Sequence, residues 1–209
     1  MTDHFPLFPL DIVLFPQMLL PLHIFEERYK DMIRQCLQNN TPFGVIYAHD
    51  GSVERVGCTA VISQVIRRYA DGRIDLVAQG RDRFQVVFFD DSEPCLRASV
   101  DLLFDLPTDR EPSEVHVTQA FDLFEQACKL SGVDGGKELE RGSTTPGLAF
   151  RLASTLQLDN SIRQRLLEAP SEDARLKELI ECLAELAPRL AERQNAVKLA
   201  GSNGRPRRE

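Results

Sequence analysis

The main change in the spacing of apolar residues comes near residue 106. Before that point, apart from a helical stretch at about residues 26–38, apolar and polar positions alternate or form short apolar runs, which is typical of strands. After it they recur every three or four residues, as on one face of a helix. The pattern predicts an α+β protein with a β-rich part over residues 1–106 and a helical bundle over residues 107–198. Residues 199–209 are expected to form a disordered tail.

The first 25 residues combine short apolar runs with four prolines. Proline lacks an N–H and has a fixed φ, so within sheets it is confined to edges, strand starts and bulges. We therefore predict two short strands joined by a turn at Pro16-Gln17, and then a helix from residue 26 to about residue 38. The apolar face of this helix is expected to contain Phe25, Tyr29, Met32, Ile33, Cys36 and Leu37.

The rest of the β-rich part predicts strands at residues 43–48, 58–69, 74–78, 84–89 and 95–104. Asp71-Gly72 indicates a hairpin turn, because glycine accepts the positive φ that such turns need. We expect Gln79-Gly80 to break the chain between two strands. Six or seven strands with regularly spaced turns indicate a barrel or a closed, strongly twisted sheet.

Beyond residue 106 the pattern predicts helices and loops. A polar linker over residues 106–112 precedes a helix over residues 113–130, and a glycine-rich loop is expected over residues 131–146. Two shorter helices follow, one over about residues 148–156 and one over residues 162–167. Ser171 then caps a long helix, which Pro188 is expected to kink or end.

A family resemblance rests on the opening stretch FPLFPLDIVLFPQMLLPLHIFEERYKDMI. Shorter matches follow at VGCTA (56–60), DGR (71–73) and GRDRF (80–84). Over about residues 5–195 the chain resembles the N-terminal, substrate-binding domain of Lon-type ATP-dependent proteases, a family that also contains short proteins made of this domain alone. The resemblance implies a PUA-like β-barrel with one helix, followed by a C-terminal helical bundle.

Charge and cysteine content narrow the class of protein. The net charge of −7 opposes tight binding to a phosphate backbone, which relies on clustered lysine and arginine. Five cysteines are scattered without a CxxC pair, and the four histidines form no metal-ligand spacing with them. We therefore expect reduced, mostly buried thiols, no metal site and a cytoplasmic location. No apolar run is long enough to predict a membrane span.

No local motif indicates catalysis. The chain contains no GxSxG, HExxH or SxxK pattern. A glycine-rich stretch from Gly132 lacks the P-loop spacing, and Glu138 follows Lys137 where a carboxylate would repel phosphates. We also expect a family member without the ATPase and peptidase modules, because 209 residues are too few for either. The expectation is a protein that is not an enzyme, with no catalytic residue and no cofactor.

The resemblance implies binding of unfolded or exposed apolar polypeptide segments, in a groove beside the opening stretch. The expected contacts are the apolar side chains of Phe15, Met18 and Leu19 and the charged side chains of Glu27, Arg28 and Arg83. The apolar group would bury side chains of the substrate, and the charged group would satisfy its polar backbone or charges. The expected partner is an unfolded polypeptide or another protein, and a homodimer stays open.

Two alternatives also stay open. One alternative is RNA binding, because PUA-like folds often bind RNA. Five arginines could form a basic strip beside two aromatic residues: Arg67, Arg68, Arg73, Arg81 and Arg83 next to Tyr69 and Phe84. Neighbouring aspartates dilute that charge, so nucleic acid is the less favoured partner. The other alternative is an adaptor that docks on a protease.

Overall fold

The computed structural model of the chain describes residues 2–105, 112–135 and 147–202. Residues 106–111 of the predicted linker, 136–146 of the predicted loop and 203–209 of the predicted tail lie outside the described residues. The chain divides into two compact units. The first unit is Met1–Asp105 with Asp159–Glu168, and the second is Leu106–Leu158 with Ala169–Glu209.

The described residues form six strands and five helices. In chain order they are β1 (Thr2–Leu10), β2 (Leu19–Ile24), α1 (Glu27–Asn39), β3 (Phe43–His49), β4 (Ser52–Arg68), β5 (Ile74–Asp90), β6 (Arg97–Leu103), α2 (Glu114–Ser131), α3 (Leu148–Thr155), α4 (Asn160–Glu168) and α5 (Glu172–Ser202). All the strands, α1 and α4 belong to the first unit, whereas α2, α3 and α5 belong to the second. The predicted α+β fold is confirmed.

Five strands of the first unit close into a barrel. β1 pairs in parallel with β3 and antiparallel with β6, and the pairs β3–β4, β4–β5 and β5–β6 are antiparallel. β4 and β5 have 17 residues each, and only part of each strand contributes to the barrel. The remainder forms a hairpin, and β2 adds to it along β5, from Leu19 opposite Gln79 to Ile24 opposite Ile74.

Two glycines allow the barrel core to pack closely around Phe84, which is completely buried. A Cβ would lie 2.9 Å from the Phe84 ring if it were added to Gly44 and 2.5 Å if it were added to Gly57. A second apolar cluster packs α1 on the sheet, where Tyr29 lies 4.2 Å from Phe8 between ring centres. The barrel and α1 therefore form one rigid support for the elements at their surface.

α4 packs on the first unit through polar contacts. Arg163 donates to the carbonyl oxygen of Val13 at 3.2 Å, and its guanidinium lies 4.7 Å from the centre of the Phe15 ring. Gln164 Nε2 donates to the carbonyl oxygen of Val56 at 3.0 Å. The predicted helical part covers residues 107–198 without interruption. The second unit does not include α4, because α4 groups with the strands.

In the second unit α5 packs against α2 and α3. Two carboxylates at the start of α5 tie it to these helices. Glu172 accepts a hydrogen bond from the Ala149 N–H at 2.7 Å, and Asp173 accepts one from His116 Nδ1 at 2.6 Å. Among the described helices none is both long and apolar enough to cross a membrane.

The predicted break at Gln79-Gly80 is wrong, and α5 does not end at Pro188. β5 runs through Gln79-Gly80 without a break, because Gly80 keeps its backbone hydrogen bonds to Gln17 (2.9 Å) and Met18 (3.0 Å). α5 runs through Pro188 to Ser202, so it also includes the first residues of the predicted tail. Proline costs about 3 kcal/mol inside a helix, and tertiary packing of the apolar face outweighs that cost.

Candidate functional site

One face of β2 is turned away from the core. Leu19, Pro21 and His23 are exposed, whereas Leu20 and Ile24 on the opposite face are buried. This is the alternation of a strand with one face on the core. Phe25 follows directly after the strand and is 60% exposed, and Leu19 is 58% exposed. β2 therefore carries apolar side chains at both ends of its outer face.

A hydrogen-bonded network fixes the end of β2 to the hairpin. Asp75 accepts hydrogen bonds from His23 Nδ1 at 2.5 Å and from the Tyr69 hydroxyl at 2.7 Å. These bonds lower the pKa of the Asp75 carboxyl, and the bond to this carboxylate raises the pKa of Tyr69. The His23 ring also stacks on Phe25, with ring centres 6.0 Å apart. The exposed phenylalanine is thus held by a network rather than left loose.

Two arginines stack on the Tyr69 ring. The guanidinium carbon of Arg67 lies 4.7 Å from the ring centre and that of Arg73 lies 4.8 Å from it. The turn between β4 and β5 closes here, since the Tyr69 N–H donates to the Arg73 carbonyl at 2.9 Å. Gly72 has a φ of 85°, which accounts for the Asp71-Gly72 turn signal in the sequence.

Ile66 lies next to this stack. The register of β4 and β5 shifts between Val65 and Arg67, so that Ile66 and Arg67 together lie opposite Asp75. Ile66 is 59% exposed. We call the connected set of residues at this end of the hairpin the hairpin-end surface; it consists of His23, Phe25, Ile66, Arg67, Tyr69, Arg73 and Asp75.

α1 supports the hairpin from the side. The buried Lys30 donates to Glu27 Oε1 at 2.8 Å and to the carbonyl oxygen of Asp71, in the turn, at 3.2 Å. Arg28 does not join this contact. It pairs with Glu26 at 2.9 Å and lines a separate cavity of about 180 Å³ that also includes Cys95.

Comparison with known proteins identifies the family. A family profile described as the ATP-dependent protease La (LON) substrate-binding domain matches residues 4–185. The chain belongs to this family. A Lon protease 2 from Herpetosiphon aurantiacus is 30% identical in an alignment of length 202 that covers 88% of this chain and 24% of that protein. A Lon protease 2 from Desulfotalea psychrophila is 25% identical in an alignment of length 222 that covers 100% of this chain and 29% of that protein. The chain thus spans about a quarter of the length of these curated relatives.

Solved structures show the same fold. The crystal structure of a Lon N-terminal domain protein from Xanthomonas campestris matches with a TM-score of 0.67 and 26% identity, over 87% of this chain and 98% of that one. The N-terminal domain of a Lon protease from the Mycobacterium avium complex matches with a TM-score of 0.64 and 19% identity, over the same shares. The expected relationship to Lon N-terminal domains is confirmed.

The residues predicted for the site of this Lon-type domain lie in different environments. Leu19 is exposed on the outer face of β2, and Met18 is half-buried just before it. Glu27 and Arg28 are exposed in the first turn of α1. Phe15 is completely buried. Arg163 brings Phe15 and Met18 together, because it lies over the Phe15 ring and its Nη2 is 3.1 Å from Met18 Sδ.

Arg83 is also buried, at 5% exposure. It donates to the carbonyl oxygen of Leu167 at 2.8 Å and to Asp105 at 2.7 Å. Phe84 is completely buried as well, so the basic strip considered for RNA is not continuous at the surface. The side chains of Phe15 and Arg83 support the fold around the site, rather than forming its surface.

Phe25 and Ile66 are not among the predicted site residues, and Tyr69 is considered only beside the basic strip of the RNA-binding alternative. Phe25 fits the helical spacing of the buried face of α1, but it precedes Glu26, the N-cap residue, and therefore lies outside the helix. The sequence carries no signal for its exposure, because every residue from Leu19 to Phe25 except His23 is apolar. Ile66 was assigned to a regular strand, and only the structure shows the bulge that places it opposite Asp75.

Proposed function

We propose that the chain binds unfolded or exposed apolar polypeptide segments without catalysing a reaction on them, and that it does so on the outer face of β2 and the hairpin-end surface. Membership of a substrate-binding domain family supports this proposal. The observation that carries it is the set of exposed apolar side chains of Leu19, Phe25 and Ile66 on one rigid support. Burial of apolar area of this kind contributes about 25 cal/mol per Å².

The edge of β2 favours side-chain contacts over strand addition. Because the Gly80 N–H donates to the Met18 carbonyl, the alternation of an antiparallel ladder directs the backbone groups of Leu19, Pro21 and His23 away from β5. Pro21 has no N–H to offer a further strand, and prolines on edge strands oppose such pairing. The proposed binding therefore depends on apolar contacts.

The predicted residues keep distinct roles in the proposal. Met18 and Leu19 extend the apolar row, while Glu27 and Arg28 border it at the other end of β2. Phe15 and Arg83 are buried and do not contact the ligand; they hold α4 and the segment before β2 on the barrel. We further propose that the protein works in the cytoplasm and that its partners are polypeptides rather than nucleic acids.

Fluorescence anisotropy tests the proposal with two probes, a fluorescein-labelled, reduced and alkylated lysozyme and a single-stranded RNA pool. We expect saturable binding of the unfolded lysozyme that persists at roughly 0.5 M NaCl, because salt screens charges but not apolar contacts. Phe25→Ser combined with Leu19→Ser is expected to weaken this binding about tenfold, since part of two large apolar contacts is lost.

Phe104→Ser is the matched control. Phe104 is 74% exposed but follows β6, where Leu103 lies opposite Arg83. Along β5, Arg83 lies roughly 13 Å from Gln79, the partner of Leu19, and roughly 30 Å from Ile74. This control should bind the unfolded lysozyme as the wild type does. No binding of the unfolded lysozyme, or salt-sensitive binding of RNA alone, would overturn the proposed function.

A further inference from the structure

The protein has a net charge of −7, yet at the hairpin-end surface the charged groups near Arg67 are paired with other residues. Arg73 is engaged by Asp71, with its Nε 2.7 Å from the carboxylate. Both oxygens of Asp75 are engaged by His23 and Tyr69. In the part of the chain that the structure describes, Arg67 forms no ion pair within 4 Å; its guanidinium contacts the face of Tyr69, and it interacts with the charge of Asp75, opposite it, only at longer range.

Stacking leaves the hydrogen-bonding edge of a guanidinium available. The guanidinium carbon of Arg67 lies over the Tyr69 ring, 4.7 Å from its centre, and the five N–H donors of a guanidinium point outward in its own plane. A carboxylate can accept two of these hydrogen bonds side by side. The contact with Tyr69 restrains the Arg67 side chain, so that less side-chain entropy is lost when a carboxylate binds.

Apolar surface lies directly beside this arginine. Ile66, 59% exposed, adjoins Arg67 in the bulge opposite Asp75. Phe25, 60% exposed, stacks on His23, which contacts the same Asp75. A ligand that reaches Arg67 therefore also covers apolar side chains.

We propose that the hairpin-end surface selects apolar polypeptide segments that carry an acidic side chain next to the apolar residues. The apolar side chains pack on Phe25 and Ile66, and the carboxylate pairs with Arg67. This selectivity rests on the proposed function, and it names the class of segment that the same surface prefers. Its basis is charge complementarity between one oriented cation and a partner carboxylate.

The test uses three fluorescein-labelled dodecapeptides that share two phenylalanines and differ in the two following residues, which are glutamate, glutamine or lysine. We expect the glutamate peptide to bind about fivefold more tightly than the glutamine peptide, which is the upper range for one exposed ion pair. The preference should disappear at roughly 0.5 M NaCl, while the remaining apolar binding persists.

Arg67→Glu is the decisive variant, and Arg68→Glu is its matched control. Both change the net charge equally, but Arg67 lies opposite Asp75 whereas Arg68 lies opposite Ile74, on the other face of the strand. Arg67→Glu should reverse the order, so that the lysine peptide binds best, and Arg68→Glu should leave it unchanged. Arg67→Gln, which removes the charge but keeps a long side chain, should abolish the preference.

The outcomes separate this inference from the proposed function. If all three peptides bind equally well and Arg67→Glu changes nothing, the selectivity is refuted and the apolar binding stands. If none of the peptides and no unfolded lysozyme binds, the proposed function fails. A fourth peptide keeps the two glutamates but has serine in place of both phenylalanines. If this peptide binds as tightly as the glutamate peptide, the combined apolar and acidic recognition is refuted.

Discussion

Replacing Gly80 by alanine should destabilise the first unit, because no space exists for a side chain there. Gly80 lies in β5 where the segment before β2 crosses it. A Cβ at this position would overlap the carbonyl oxygen of Phe15 and would lie 3.2 Å from Cys58 Sγ. The overlapping atom belongs to the backbone, so a rotamer change cannot relieve it. The chain before β2 must move away instead.

The size of the effect follows from what this movement disrupts. Overpacking a well-packed site costs about 1–3 kcal/mol. The two backbone hydrogen bonds from Gly80 to Gln17 and Met18 contribute about 1 kcal/mol each, and at least one is lost. Alanine restricts the unfolded chain more than glycine does, which offsets about 0.5 kcal/mol. With one hydrogen bond lost, we expect Gly80→Ala to lower the free energy of unfolding by about 1.5–3.5 kcal/mol.

Tyrosine fluorescence during urea unfolding is a suitable assay. The chain has no tryptophan, and its three tyrosines, Tyr29, Tyr47 and Tyr69, all belong to the first unit. The signal therefore reports on the unit that contains Gly80. Linear extrapolation to zero denaturant gives the free energy of unfolding for each variant.

Gly51→Ala serves as the control in the same unit. Gly51 has a φ of 78° but no atom within 4 Å of an added Cβ, so this variant measures backbone strain without overlap. We expect it to cost about 1 kcal/mol. If Gly80→Ala costs no more than Gly51→Ala, the close approach of Phe15 to β5 is not what requires glycine, and the reasoning is refuted.

Two further predictions concern titratable groups. All five cysteines are buried, and burial raises the pKa of the Cys58 thiol to about 12. We therefore expect no rapid reaction of the native protein with Ellman's reagent, and five reactive thiols in denaturant; rapid reaction of a native thiol would contradict the burial. Burial of Asp173 favours a higher pKa, but hydrogen bonds from His116, Lys177 and the Ser113 N–H outweigh it and lower the pKa to about 2. Because the folded state then binds fewer protons, about 2 kcal/mol of stability is present above pH ~4 and is lost as the pH falls towards 2. Circular dichroism of thermal unfolding should show this loss in the wild type and a flatter profile in Asp173→Asn; equal profiles would refute the assignment.

The architecture was predictable because it depends on local patterns. The strands with regularly spaced turns before residue 106 indicated a barrel or closed sheet, and the helical spacing after it indicated a helical part; the family resemblance implied the same arrangement, and both parts occur in the structure. The predicted break at Gly80 is wrong because a glycine in a strand has two physical meanings. A glycine in a strand can mark a break or a close approach, and only the position of Phe15 decides between them.

The grouping of α4 was not predictable from periodicity. Its helical pattern shows that a helix forms, but its place is fixed by hydrogen bonds to backbone groups far away in the chain. Arg163 reaches the carbonyl oxygen of Val13, 150 residues earlier, and Gln164 reaches that of Val56, 108 residues earlier. Backbone acceptors carry no sequence signature, so contacts of this kind are visible only in the fold.

The exposed apolar residues were missed because an apolar pattern in a sequence indicates burial by default. These residues are suited to binding because the elements that carry them are rigidly held. The start of β2 is held by the bonds of Gln17 and Met18 to Gly80, and its end is held by His23 on Asp75. Lys30 ties the neighbouring turn to α1. A ligand that packs on this surface therefore does not have to order it first, which lowers the entropic cost of association. Since the supports lie beneath the surface, a change at Gly80 should weaken binding of unfolded lysozyme even though no ligand touches that residue.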